Sequence, residues 1–306
     1  MARLSRLLHL VGILLLIPLS SCSELELLNP KGEIGAQEKT LILVALGLML
    51  LVVIPVMFLT VYFAWRYRAS NVRATYAPTW THSTAVEVVV WTVPCLIVAI
   101  LAVMIWETTD SLDPFQPLKS KVPPVRVEVV ALNWKWLFIY PDYGVASINY
   151  LSIPVDTPVE FKLTAESMMN SFFIPQLGSQ IYAMAGMQTQ LHLIANEPGT
   201  YAGLSSAFSG PGFSDMHFAV AATSQKEFAD WVHRAKRSTQ VLNAATYRSL
   251  EQPSIKNPVT FFAKVDPGLF ETIVNRFMSG KMSEMAFATS DLCTAEALPP
   301  IARSEN

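Results

Sequence analysis

Charged side chains are scarce in this chain of 306 residues, of which only 15% are Asp, Glu, Lys or Arg. An ordinary soluble domain carries about 25%. Hydrophobic residues make up 52% of the chain, which is too apolar for an intrinsically disordered protein. The composition therefore indicates a membrane protein.

Basic clusters and cysteine motifs are also missing. The 22 basic and 24 acidic residues nearly cancel and no long Lys/Arg run occurs, so nucleic acid is excluded as a partner. The three cysteines, Cys22, Cys95 and Cys293, have no C-x-x-C spacing, which excludes a disulfide framework and a cysteine-rich zinc site. No nucleophile with a His/Asp partner and no phosphate-binding glycine loop is evident, so we assign no catalytic residue.

The N-terminus has the pattern of an export signal. Two arginines precede an apolar run, Leu7–Leu19, that is too short to cross a bilayer comfortably. The run ends at Leu19-Ser20-Ser21-Cys22, which resembles the bacterial lipobox, where the chain is cut before the cysteine and the thiol is lipidated. We predict a lipoprotein signal peptide over residues 1–21 and lipidation of Cys22. A plain signal peptide with an incidental cysteine is the alternative.

Two longer apolar runs predict transmembrane helices. The run Thr40–Ala64 contains no charge and spans about 37 Å as a helix, and Val88–Trp106 has the same character. We place the helices at residues 40–66 and 85–106. The loop over residues 67–84 is basic, so the positive-inside rule puts it in the cytoplasm and puts both long ends outside, including the N-terminal segment 22–39.

The part of the chain that follows a proline-rich linker (residues 107–124) has the pattern of β-strands. Val125–Val129 and Val159–Thr164 alternate apolar and polar residues, and turn signals such as Pro198-Gly199 separate the runs. No helical period occurs over residues 125–222, so we predict a small antiparallel sandwich or barrel.

Helices are predicted to return in an arm over residues 223–280. Ser224–Glu227 is a capping-box pattern that begins one helix, and Asp266-Pro267 is predicted to begin another, with the proline at its first position. Residues 281–306, which include Cys293, have no period and are predicted to be a disordered tail.

This order of parts resembles subunit II of the haem-copper oxidases. Trp134–Phe138 lies where the family has its aromatic stretch, and Glu87 followed by Trp91–Pro94 is similar to the family's second-helix pattern. Asn133–Trp136 and Gly178–Gln188 resemble the cytochrome bo-type ubiquinol oxidases in particular. The resemblance implies a membrane α-hairpin of two helices and an exported all-β, cupredoxin-like Greek-key barrel with C-terminal helices.

The copper-ligand positions of the family distinguish its two branches. Cytochrome c oxidases hold a binuclear copper centre with a C-x3-C-x3-H-x2-M pattern and an upstream histidine. In this sequence the matching positions are Ser205, Ser209, Phe213 and Met216, with Asn170 upstream. Soft thiolates and imidazoles suit copper, whereas a hydroxyl, a phenyl ring and an amide do not. Since Met216 is the only ligand retained, we expect no metal or other cofactor in this chain.

The other histidines and the methionines have simpler interpretations. His217 follows Met216 and would point to the opposite face of a strand. His192 shares a face with Gln188 and Gln190 and is predicted to be solvated. Four methionines are interpreted as gap-filling or subunit-contact residues rather than as a copper(I) carrier; they are Met168, Met169, Met184 and Met187.

Glu87 has two possible roles on the residues alone. Thr84–Glu87 is itself a capping-box pattern, in which the carboxylate would stabilise the helix N-terminus. A carboxylate at the mouth of a transmembrane helix is also a functional candidate. The resemblance implies the second role, because the matching carboxylate of the family lies at the entrance of a proton-uptake pathway into subunit I.

The resemblance implies subunit II of a proton-pumping terminal quinol oxidase in the bacterial inner membrane, with the large domain in the periplasm. Haems and copper would be held by subunit I, where ubiquinol oxidation is coupled to the reduction of dioxygen. This chain would cap subunit I and contact other subunits and membrane lipid. Trp134 and Trp136 would be packing residues, and the charge of Lys135 between them fits the loss of an electron-entry role. The alternatives are a cytochrome c oxidase subunit II, a membrane-anchored lipoprotein binding module, and an assembly factor.

Overall fold

The computed structural model describes residues 26–75 and 77–276. The chain divides into two compact units. The first comprises the described residues up to Gln116 together with Gln176–Ser179, and the second comprises the rest. The predicted signal peptide, the lipidation site Cys22 and the tail with Cys293 lie outside the described residues.

The first unit contains two long helices, α1 (Glu33–Arg66) and α2 (Thr84–Ser111). Both are long and apolar enough to cross a membrane. Their apolar side chains are largely exposed, as with Val61 at 70%, which suits a lipid environment and not water. Helix α1 begins at Glu33 rather than at the start of the apolar run, because the residues before Thr40 include good helix formers. The predicted membrane α-hairpin is confirmed.

The rest of the fold is built from short strands and helices. The strands are β1 (Val125–Leu132), β2 (Lys135–Tyr140), β3 (Val145–Ile148), β4 (Tyr150–Pro154), β5 (Val159–Ala165), β6 (Asn170–Ile174), β7 (Gly178–Ala183), β8 (Thr189–Leu193), β9 (Gly199–Ser205), β10 (His217–Thr223), β11 (Val241–Leu242), β12 (Thr260–Phe262) and β13 (Lys264–Val265). The helices are α3 (Gln225–Ala235), α4 (Ala244–Glu251) and α5 (Leu269–Asn275).

Two mixed sheets form the β domain. The first has the strand order β12-β3-β2-β1-β5-β8 and the second has the order β4-β10-β9-β6-β7. Aromatic rings from both sheets meet in the core, where Phe172 of β6 lies 5.4 Å from Trp136 of β2 and 5.2 Å from Phe218 of β10, measured between ring centroids. Strand β1 buries Val127 and Val129 on this side, as its alternation predicts.

The sheets are not wholly antiparallel, and that part of the prediction is wrong. Strand β1 pairs with β5 in parallel, with Val125 opposite Val159, and β4 pairs with β10 in parallel, with Tyr150 opposite Ala219. Parallel neighbours need a long connection. Here that connection is several intervening strands, which alternation within single strands does not reveal.

The C-terminal helices agree with the prediction only in part. Helix α3 begins with the predicted capping box, in which Ser224 and Glu227 bond each other's backbone N–H groups. Helix α5 begins at Leu269 rather than at Pro267, because Gly268 adopts φ +73° at the N-cap and interrupts the helical backbone. Helix α4, whose N-cap is Asn243, was not predicted as a separate element.

Helices α4 and α5 cover the outer face of the first sheet. Tyr247 of α4 and Phe270 and Ile273 of α5 share a buried cluster with Val130 and Leu132 of β1. Strand β1 is therefore apolar on both faces at its end. The predicted β domain with C-terminal helices is confirmed.

Candidate functional site

The positions that match the family's copper ligands lie at one end of the β domain. Asn170 starts β6 and Ser205 ends β9, and each is 3% exposed. Ser205 Oγ lies 3.2 Å from Asn170 Oδ1, and the backbone N–H of Ser205 donates to the carbonyl oxygen of Met216 at 3.3 Å. The structure thus brings Asn170, Ser205 and Met216 together.

Ser209 and Phe213 occupy the loop between β9 and β10. Ser209 is 3% exposed, and its hydroxyl has no hydrogen-bond partner among the described residues. The ring of Phe213 lies 5.6 Å from that of the exposed Phe208. His217, the first residue of β10, is exposed, whereas Met216, which precedes the strand, is buried.

The donor chemistry of these residues does not fit a binuclear copper centre. The Ser205 hydroxyl is positioned to donate to Asn170 Oδ1 or to the carbonyl oxygen of Ala207, each at 3.2 Å. The Asn170 amide donates to the carbonyl of Met168 at 3.0 Å. These are neutral, hard groups already used in local hydrogen bonds, and copper of this type requires thiolates and imidazoles. Within residues 26–75 and 77–276, no three His, Cys, Asp or Glu side chains cluster as metal ligands.

Trp134 lies against the same loop. It occupies the two-residue turn between β1 and β2, with φ +63°. Its indole Nε1 donates to the carbonyl oxygen of Ser209 at 2.9 Å. A Cβ atom at Gly212 would lie 2.4 Å from the Trp134 ring and 2.4 Å from Ile255. Glycine is therefore required where the loop crosses the indole ring.

The neighbouring residues of the aromatic stretch are buried. Trp136 is fully buried in the aromatic core, which supports its interpretation as a packing residue. Lys135 is only 1% exposed, and its Nζ donates to the carbonyl oxygen of Gln252 at 2.8 Å and to Ser254 Oγ. Burial lowers the pKa of Lys135. The sequence interpretation did not predict that Lys135 is buried and donates hydrogen bonds to the loop over residues 252–257.

Two asparagines bind the two ends of the loop over residues 252–257, which also contains the partners of Lys135. Asn133 Nδ2 donates to the carbonyl oxygen of Glu251 at 3.2 Å, and Asn149 Nδ2 donates to that of Asn257 at 3.1 Å. Asn149 also accepts the backbone N–H of Trp136 at 2.9 Å and adopts φ +55°. Asparagine tolerates this left-handed backbone, which is the one signal in the sequence that marks the turn.

The sequence interpretation also did not predict the burial of Glu166. Glu166 is 7% exposed, and it accepts hydrogen bonds from the Tyr247 hydroxyl at 3.0 Å and from Arg276 at 2.9 Å. Burial raises the pKa of Glu166, and the negative charge of Glu251 raises it further. This contact joins the end of β5 to helix α4 and to the end of α5.

Glu87 lies in the first unit, in the first turn of α2. Its side chain is exposed and its backbone N–H donates to the carbonyl oxygen of Ser83 at 2.9 Å. Ser83 is the N-cap and makes no side-chain capping bond. The predicted capping box at Thr84 is therefore wrong, because Glu87 falls one position beyond the third helical residue that a capping box requires.

The prediction that His192 is solvated is wrong. His192 is 7% exposed, because the end of the proline-rich linker crosses the outer face of β8. Its side chain lines a cavity of about 310 Å³ with Glu160, Gln190 and the linker residues Pro117 and Leu118. Single-strand alternation assigns the face correctly but does not show what covers that face.

Three of the four methionines are exposed by about half. Met168, Met169 and Met187 are 50%, 48% and 51% exposed, and Met184 is partly buried. The exposed three do not fill gaps in the core. A contact with another subunit remains the prediction for them.

Comparisons with known proteins identify the family. The model for the periplasmic domain of cytochrome c oxidase subunit II matches residues 144–223, and the model for the COX aromatic-rich motif matches residues 236–281. The first match and the two apolar helices confirm the predicted cupredoxin-like fold and the predicted inner-membrane location with a periplasmic domain.

Relatives that match most of the chain identify the branch of the family more specifically than the two family models do. Cytochrome bo(3) ubiquinol oxidase subunit 2 of Pseudomonas putida is 49% identical over 299 residues, which cover 97% of this chain and 94% of that protein. The Pseudomonas aeruginosa protein of the same name is 54% identical, covering 83% and 77%. Ubiquinol oxidase subunit 2 of Acetobacter aceti is 52% identical, covering 92% of each. On this similarity along nearly its whole length, the chain belongs to the ubiquinol oxidase subunit 2 family of the haem-copper oxidases.

Proposed function

We propose that this chain is subunit II of a proton-pumping terminal oxidase that takes electrons from ubiquinol and reduces dioxygen to water. In this proposal the chain carries no redox centre. The haems and copper are held by subunit I, and the exported domain caps that subunit. The relatives that match nearly the whole chain are named as subunit 2 of a ubiquinol oxidase, which supports the assignment.

The hydrogen bond between Ser205 and Asn170 is the observation that carries the proposal. It occupies the position where a cytochrome c oxidase needs a bridging thiolate and an imidazole, and neither partner is a ligand that copper prefers. Without a relay in the exported domain, a soluble cytochrome c has no acceptor in this chain. A lipid-soluble quinol instead reaches the membrane part of the complex directly.

Purification from membranes in mild detergent tests this assignment. We expect haem-bearing subunits to co-purify with the chain and the complex to oxidise a short-chain ubiquinol but not reduced cytochrome c. Purification without haem-bearing partners would instead support a free lipoprotein binding module. Oxidation of reduced cytochrome c would support the other branch of the family.

A copper titration of the purified chain tests the donor set itself. We expect no stoichiometric copper and no visible thiolate-to-copper absorption band. The variant S205C/S209C is the control, because it places two thiolates at the same backbone positions. Uptake of two copper ions by the unaltered chain would overturn the proposal.

We propose further that Glu87 collects protons from the cytoplasm for subunit I. Its exposure in the first turn of α2 and its absence from any capping box leave the carboxylate available for this role. In the assembled enzyme, Glu87→Gln should slow turnover while haem content stays unchanged. Unchanged turnover would remove this assignment, and it would favour a purely structural role of the chain.

Lipidation of Cys22 remains our proposal on the lipobox pattern. Mass spectrometry of the mature N-terminus is expected to show an acylated Cys22. The matched variant Cys22→Ser should lack the acyl mass. Because two helices already hold the chain in the membrane, the enzyme should retain its activity.

A further inference from the structure

A basic cleft lies at the C-terminal end of α3. Its volume is about 400 Å³, and it is lined by Arg234, Arg237, Ser238, Gln240, Val259, Thr260 and Phe261. Arg234 and Arg237 are three residues apart in the last turn of α3 and just beyond it, so they lie on one side of the helix. The opposite wall comes from β12 and the residue before it.

The two arginines have no acidic partner in the described part of the chain. Neither Arg234 nor Arg237 takes part in an ion pair there, in contrast to Arg126 and Arg276. Asp230, one turn before Arg234, forms no ion pair with it, and no carboxylate lines the cleft. Both guanidinium groups are therefore available to a ligand.

The remaining polar groups of the cleft have defined roles. The Ser238 hydroxyl donates to the carbonyl oxygen of Phe261 at 2.6 Å and accepts the backbone N–H of Gln240 at 3.2 Å. The Thr260 hydroxyl donates to the carbonyl oxygen of Pro258 at 3.2 Å. These bonds fix the wall that faces the arginines. The side-chain amide of Gln240 makes no hydrogen bond within the described structure and adds a further donor beside the two guanidinium forks.

A lining of cationic donors without carboxylates selects an anion. Guanidinium groups match the oxygens of a phosphate group in bidentate fashion. The cleft is much larger than an inorganic phosphate ion, and Val259 and Phe261 give it an apolar wall. Its lining therefore suits a phosphate group and leaves room for an organic body attached to that group.

We propose that the cleft formed by Arg234, Arg237, Gln240 and the β12 wall binds a phosphate group. The headgroup of an anionic phospholipid and free phosphate present the same chemistry. The arginines would clamp the phosphate oxygens while Val259 and Phe261 contact the attached carbon atoms. A zwitterionic headgroup binds less well, because its cationic end meets the same two arginines.

A purely structural role of the arginines makes a different prediction. Cations near a helix C-terminus stabilise it slightly through the helix dipole. If this were the only role, replacing both arginines would lower the thermal stability slightly and would leave ligand binding unchanged. Binding and stability therefore have to be measured on the same samples.

The test uses the full chain in its detergent-purified complex after removal of bound lipid. Native mass spectrometry would follow titrations with short-chain phosphatidylglycerol, short-chain phosphatidylcholine and inorganic phosphate. We expect phosphatidylglycerol to bind best, and R234Q/R237Q to weaken that binding at least about tenfold. The control K226Q/R248Q removes two exposed cations outside the cleft and should change the affinity by less than about twofold.

Each outcome decides the proposal. Loss of phosphatidylglycerol binding in R234Q/R237Q alone supports a lipid headgroup as the ligand. Tighter binding of inorganic phosphate, with the same dependence on the two arginines, supports free phosphate as the source. Equal affinities in the unaltered chain and R234Q/R237Q, or equal losses in R234Q/R237Q and K226Q/R248Q, overturn the proposal.

Discussion

Lys135 Nζ donates a hydrogen bond to the carbonyl oxygen of Gln252 across 117 residues of sequence. The cation is almost fully buried at the start of β2, and its partner lies in the loop over residues 252–257, whose Ile255 side chain lies beside Gly212, as the Trp134 ring does. The family resemblance connects the two flanking tryptophans with electron entry. In this chain the residue between them instead binds the loop over residues 252–257 through hydrogen bonds. This is why a charged residue is tolerated inside the aromatic stretch.

Replacing Lys135 by Met should loosen this loop. The variant leaves the Gln252 carbonyl without its donor, which costs about 1–3 kcal/mol when the group stays buried. We expect a lower melting temperature for the purified chain and faster hydrogen exchange of the amides at Ser254–Asn257. Lys264→Met, at an exposed position, is the control. Equal exchange in the two variants would show that Lys135 does not anchor the loop.

Glu128 should make the stability of the β domain depend on pH. Burial, together with the charge of Glu271, raises the pKa of Glu128 to about 7 against the opposing effect of Lys162. The folded state therefore holds this proton more tightly than the unfolded state, whose pKa is near 4.5. The stabilisation is fully present below about pH 4.5 and is lost as the pH rises through about 7.

The variant Glu128→Gln tests this pH dependence. It should be more stable than the unaltered chain near pH 8 and should flatten the stability profile between pH 5 and pH 8, as measured by urea unfolding. Asp230→Asn, on the exposed side of α3, removes one charge elsewhere and should keep the slope. A slope that persists in Glu128→Gln would assign the pH dependence to another group.

Phe172 should be the most sensitive position of the aromatic core. Its ring contacts Trp136, Phe138, Phe161 and Phe218. Phe172→Ala creates a cavity between the two sheets and should cost about 3–5 kcal/mol of unfolding free energy. Phe208→Ala, at a residue that is 78% exposed, should change it by less than about 0.5 kcal/mol. Comparable losses would contradict the central role of Phe172.

Tyr247 and Glu166 should show coupled effects on stability. The tyrosine hydroxyl donates to the buried carboxylate at 3.0 Å, so Tyr247→Phe should cost about 1–3 kcal/mol. In a double-mutant cycle with Glu166→Gln, the two losses should not add, with a coupling of about 0.5–3 kcal/mol. Additive losses in chemical unfolding would show that the hydrogen bond contributes little.

Hydrophobic pattern alone predicts the parts of the fold in which a single element decides its own burial. The two long apolar runs give α1 and α2, and alternation in Val125–Val129 gives β1 with its buried face. The capping box at Ser224 also depends only on local contacts, and it forms as predicted.

Features that depend on distant segments were not predictable in this way. His192 is buried by a linker that lies about 70 residues earlier in the chain, a relation that alternation does not encode. From the sequence, Lys135 would be expected on the surface. Only the structure shows that the loop over residues 252–257 covers it. At the candidate site, residue types predicted the poor fit to copper, but the hydrogen bond between Ser205 and Asn170 required the structure.

The parallel strand pairs of the two large sheets constrain how the exported domain acquires its shape. Strand β1 pairs on one edge with β2, which follows it directly in the sequence. Its other edge remains unpaired until β5 is present, and β4 cannot pair with β10 until that later strand is present. A chain that crosses the membrane from its N-terminal side therefore presents bare β edges to the periplasm until its later strands arrive. Unpaired edges invite pairing with other chains, so translocation speed and periplasmic chaperones should govern the yield of this domain more than its final stability does.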